Sequence, residues 1–231
     1  MMKHLDWVRY EARRVGLAGL LTPLLIMLAF SGFGLLMRAN GVSPDRSTRA
    51  VVAGLEIGVA TAAGLISATL ASSDSLLELH LSLATRYRTT FARRLALMLG
   101  WTALVGIITT VVVRLIGHEL APVSLLAQQL VWLAPLACFT GIGAVLTLLL
   151  RSRSGAAAMI AGIWIAETLF GKVFGATTWL QPFFLFATSF TAGKSYWLGN
   201  RLELIAMGLL FGALALIWLK RNPSILLGGE G

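Results

Sequence analysis

LLELHLSLATRYRTTFARR, residues 76–94, is the stretch on which the reading of the fold turns. Leu77 to Leu83 alternates apolar and polar residues as a half-buried strand would, yet apolar runs long enough to cross a membrane flank it on both sides. On a helical wheel at about 100° per residue, Asp74, Ser75, Glu78, Ser82 and Thr85 share one arc of about 100°. Leu76, Leu77, Leu79, Leu81, Leu83 and Ala84 fill the rest, with His80 the polar exception. The helical template sorts all of 74–85 with that one exception, whereas the strand template sorts only 77–83. A lone strand would also leave its ladder groups without partners at a membrane surface. The stretch therefore reads as a short amphipathic helix along one membrane face, followed by a basic turn, Arg86 to Arg94, that enters the next span.

Composition supports that setting. Of 231 residues, 57% are hydrophobic and 13% charged, and the mean hydropathy is +0.82; ordinary soluble domains are about 25% charged. The net charge of +9 would suggest nucleic acid in a soluble domain, but here the basic residues lie between apolar runs, where membrane topology accounts for them. Nucleic acid is not expected as a partner; the lipid bilayer is. The single cysteine, Cys138, sits in an apolar run and reads as a small packed residue, with no disulfide partner in the chain. The amino end, MMKHLDWVRYEARR, is too charged for a secretory signal, so the first apolar run is expected to remain as a span.

Six candidate spans emerge, at about 15–37, 50–73, 95–116, 125–150, 154–171 and 202–219, each near the ~20 residues that a bilayer requires. They form one all-α transmembrane domain, residues 1–231. Lys and Arg number 12 in the amino-terminal, second, fourth and carboxy-terminal connections and 7 in the others. That bias places both termini and residues 74–94 in the cytoplasm. Residues 172–200 then lie outside and carry eight aromatics, among them Trp179, Phe183, Phe184, Phe186 and Phe190. Such density suits an outer re-entrant hairpin; a seventh span through 178–193 competes, but it would be short and interrupted by Gln181 and Pro182. The excess of Arg over Lys, 15 to 4, is a compositional association with GC-rich bacteria and hence with a bacterial inner membrane.

Leu77-Glu78-Leu79-His80-Leu81-Ser82-Leu83, with Arg88 and Arg94-Leu95 behind it, resembles the L-E-L-x-L-S-L-P-x-S-R-R…K-L pattern between the second and third spans of type-two ABC exporter permeases. That family has six spans, an amphipathic amino-terminal elbow, this cytoplasmic coupling helix and a hydrophobic outer hairpin before the last span. The elbow's counterpart is KHLDWVRYEARR, with Leu5, Val8, Ala12 and Val15 on one face and Lys3, Arg9, Arg13 and Arg14 able to meet headgroup phosphates; a plain basic start to the first span reads the same residues. Ser75-Leu76 stands where the family often has Gly-Thr, Ala84 where it has Pro, Arg86 where it has Ser and Arg94 where it has Lys. The resemblance implies a permease subunit that moves an apolar or amphipathic substrate (drug, peptide, lipid or glycolipid) outward by alternating access. It implies a second permease, identical or related, and separate ATPase subunits that bind ATP and Mg. Leu76, Leu77, Glu78, Leu79, His80, Leu81, Leu83, Arg88 and Arg94 would couple to those subunits.

The chain itself carries no expected engine. Thr191-Ala192-Gly193-Lys194-Ser195 echoes the end of a phosphate-binding loop, but the first glycine of that motif would fall at Thr188. His4, His80 and His118 are scattered, and no nucleophile or metal motif appears, so neither a catalytic centre nor a bound cofactor or metal is expected. Two carboxylates lie within spans, Glu56 and Glu167, and such groups face a bundle interior or a cavity. They are candidates for lining a transport path; a place near the outer interface, with Glu56 meeting Arg46 or Arg49, is the alternative. Gly54…Gly58 and Gly208…Gly212 are G-x-x-x-G pairs that read as packing signals. The competing overall reading is a membrane-embedded enzyme or scaffold in which residues 74–85 only rest in the interface.

Overall fold

The computed structural model describes residues 2–72, 87–116, 120–191 and 193–221. Among them there is no strand, and six helices are long and apolar enough to cross a bilayer: Val15–Ala39, Pro44–Leu70, Thr89–Leu115, Leu125–Leu150, Arg153–Ala176 and Trp197–Lys220. The described residues are thus all-helical, and the six long apolar helices make this a multi-pass membrane protein. All six match the apolar runs of the sequence; the fourth has the same ends, and the second, third and sixth begin about five or six residues earlier. The fifth helix continues past Lys172 to Ala176, through a break at Phe170 (φ −104°, ψ 16°), because the exposed Lys172 side chain interrupts the apolar run without interrupting the backbone. The first helix starts at Met2 and breaks at Gly16 (φ 80°, ψ 155°), so its amino-terminal segment and its span are separate rods. Residues 74–85 lie outside the described residues.

The fourth span is the centre of the molecule, packed between the second and the sixth. Small residues permit this. A Cβ on Gly208 would fall 2.5 Å from the carbonyl of Ala137, and one on Gly141 2.6 Å from the carbonyl oxygen of Gly208, so the fourth and sixth backbones touch. Gly64 and Gly143 bring the second and fourth equally close, and Ser67 Oγ donates to the Thr140 carbonyl across that contact at 2.8 Å. Gly54 and Gly58 receive Phe30 and Ile26 of the first span, which makes that pair a packing face. In the second pair Gly208 packs but Gly212 has open space around it. The first and third spans are tied by Trp101 Nε1, which donates to the Leu20 carbonyl at 2.7 Å.

Between the fifth and sixth spans, no helix among the described residues is long enough to cross a bilayer; they hold a 3-10 turn, Gln181–Phe183, and a short helix, Ala187–Thr191. By the number of crossings, this stretch lies on the same face as the connections after the first and third spans. Asp45, Leu120 and Lys194 border one pocket, which brings the three connections of that face together.

Candidate functional site

Residues 181–189 put irregular backbone among apolar helices, where every unpaired N–H or C=O is costly. Three spans supply the missing partners. From the sixth, Asn200 Nδ2 donates to the carbonyls of Gln181 (2.7 Å), Phe184 (3.0 Å) and Pro182 (3.4 Å), and Arg201 Nη1 donates to that of Leu185 (3.0 Å). From the fifth, Glu167 Oε2 accepts the N–H groups of Leu185 (2.8 Å) and Phe186 (3.3 Å). From the second, Glu56 Oε1 accepts the N–H of Thr188 (2.8 Å), while Oε2 accepts the N–H and hydroxyl of Ser189 (2.7 and 2.5 Å). Thr188 and Ser189 open the short helix, where N–H groups lack intrahelical acceptors.

Arg201 closes the arrangement. Its Nη2 donates to Glu56 Oε1 at 2.8 Å in an ion pair whose side chains are both fully buried, and its guanidinium lies 5.6 Å from the centroid of the Trp197 ring. Trp197 Nε1 in turn donates to Thr188 Oγ1 at 2.9 Å, so the hairpin is held by side chain and backbone together. Glu56 sits in a π-helical turn, Gly54–Val59, a local widening of the helix that recurs at functional sites. The apolar half of the site is equally fixed: Phe184 and Phe186 are fully buried, Phe186 stacks on Phe139 at 6.0 Å, and Phe184 contacts Phe174 and Phe190.

The structure brings Glu56 and Glu167 to the same hairpin, from two different spans. It corrects the expected partner of Glu56, which is Arg201 and not Arg46 or Arg49. Arg46 and Arg49 are nearer to Glu56 in sequence, whereas the cation that meets it comes from the last span. The hairpin aromatics divide: Phe184 and Phe186 point inward, while Trp179, Phe183 and Phe190 are exposed. Of the residues assigned to coupling, Leu76, Leu77, Glu78, Leu79, His80, Leu81 and Leu83 fall outside the described residues, as does the side chain of Arg88. Arg94 is described and buried within the chain. Asn200 and Arg201 went unread in the sequence; an Asn-Arg pair opening an apolar helix is the signal that could have found them. No group of His, Cys, Asp and Glu suited to a metal occurs among the described residues. Comparison with protein-family models, with curated proteins and with solved structures gave no match.

Proposed function

We propose that this chain is the permease subunit of an ATP-driven exporter of the type-two ABC class, in the bacterial inner membrane with both termini cytoplasmic. One observation carries the reading: the second span bonds the hairpin at one end and leads into residues 74–94 at the other. Glu56 and Ser72 are sixteen residues apart on one continuous run of helix, about 24 Å along it. A partner ATPase that moves 74–85 would therefore pull, through one rigid helix, on the clamp that holds residues 181–189. The broken segment between the fifth and sixth spans acts as a re-entrant outer gate, and the break at Gly16 sets off an amino-terminal elbow. ATP and Mg belong on the separate ATPase subunits, and a second permease completes the path along which an apolar or amphipathic substrate leaves.

The test is purification of the tagged chain from the membranes of its own host in mild detergent. A nucleotide-hydrolysing subunit is expected in stoichiometric amount, with ATP hydrolysis that substrate stimulates in reconstituted vesicles. A chain that purifies without such a subunit, with no ATP-dependent transport in membranes, overturns the reading.

A further inference from the structure

We infer that Glu167 and the cavity beside it form a binding site for an apolar aromatic amine in its ammonium form. The cavity, about 290 Å³, lies between the fourth, fifth and sixth spans and is walled by Cys138, Phe174, Phe183, Met207 and Phe211. Glu167 is the one charged residue on its wall. This side chain is only 3% exposed, and both of its hydrogen bonds, from the N–H groups of Leu185 and Phe186, go to Oε2. Among the described residues Oε1 accepts none, although a carboxylate has about four acceptor sites. Arg201, which could have neutralised it, spends its Nη groups on Glu56 and Leu185.

The complement of an unpaired acceptor oxygen at the wall of an aromatic-lined cavity is a donor that carries positive charge on an apolar body. An ammonium N–H can bond Oε1, and phenyl faces attract a cation within about 6 Å. A lipid tail or a neutral aromatic would fill the same walls and leave the carboxylate oxygen without a partner, which is the costly outcome for a buried polar group. Glu167 lies nine residues before the end of its helix, about 14 Å along the helix from the outer face. An amphiphilic amine from the outer leaflet can reach that depth.

The experiment uses the purified full chain in detergent and tritiated propranolol, a naphthyl secondary amine that is cationic at neutral pH, read by scintillation proximity. Binding requires neither ATP nor a partner, so its failure leaves the permease reading standing, and failure of that reading leaves this site standing. Saturable binding is expected, weakened at least tenfold in Glu167→Gln, which keeps an acceptor for the two N–H groups. Met207→Trp, which fills the cavity with the carboxylate intact, should weaken it comparably. Glu203→Gln, an exposed acid on the sixth span, should leave it unchanged. Competition by 1-methoxynaphthalene as strong as that by unlabelled propranolol would show a purely apolar site and overturn the charge recognition. Absence of saturable binding to the wild-type chain overturns the inference, as does unchanged affinity in a folded Glu167→Gln. Should Glu167→Gln fail to fold, unchanged affinity in Met207→Trp does the same.

Discussion

At the scale of single residues, Glu56 and Arg201 decide how the hairpin is held. Removing one member of a fully buried ion pair leaves the other uncompensated, a loss of about 3–5 kcal/mol. Glu56→Ala and Arg201→Ala should each lower the thermal midpoint of the purified protein strongly. Glu56→Gln combined with Arg201→Gln should cost less than the two single changes added together, as residues in one network do. Strictly additive, small losses in that cycle would show that the pair carries little of the site. Both carboxylates were legible in the sequence, because an acid inside an apolar span is conspicuous and must face protein or water. Arg201 was not, because a cation at the head of a span looks the same as a loop cation in a topology count. It is fully buried, so the outward tally of basic residues falls by one and the inward bias grows. For Asn200 the one signal is its place beside Arg201 at the head of an apolar helix; its partners, three carbonyls from a segment sixteen to nineteen residues earlier, are not legible there.

At the scale of elements, the spans were readable from apolar run length, and the contacts between them were not. Gly208 and Gly212 belong to one G-x-x-x-G pair but have opposite surroundings. Gly208→Ala drives a methyl into the Ala137 carbonyl and the Cys138 amide, whereas Gly212→Ala meets open space. The first should destabilise by about 1–3 kcal/mol, typical of overpacking, and the second should be silent; equal midpoints for the two would contradict the packing of the fourth and sixth spans. The hairpin was legible as an aromatic, interrupted stretch. Which of its rings turn inward was not, since that depends on Phe139 and Phe174 of neighbouring helices.

At the scale of the whole molecule, six crossings put the connections near Asp45, Leu120 and Lys194 on one face. A reporter fused after Gly231 should therefore be cytoplasmic and one inserted at Gly193 external; a carboxy terminus found outside would require a seventh crossing. The long-range counterpart of the clamp is the stretch that first suggested the fold. Leu77→Asp or Leu81→Asp places a charge on the apolar arc, and forfeits about 1.5–3 kcal/mol of leucine burial in any groove that receives it. Under the permease proposal each should cut co-purification of the proposed ATPase subunit tenfold or more, while Ser82→Asp, on the polar arc, should be mild. Normal pairing in both leucine variants would leave an interfacial helix and no lever.

The clamp also has a consequence for how the protein is made. Arg201 follows Glu56 by 145 residues, which at ~5–20 residues per second is about 7–30 s of synthesis. During that interval the second span has entered the bilayer with an acid whose cation has not yet been translated, so the insertion machinery or water must shelter it. Arrested chains test this in a Cys138→Ser background with Ile57→Cys beside the acid. A polar thiol reagent should label chains whose emerged portion ends at Ser195 and spare those that extend through Lys220. Absence of labelling at both lengths would mean that the second span is sealed before its partner arrives, and strong labelling at both that Arg201 does not seal it.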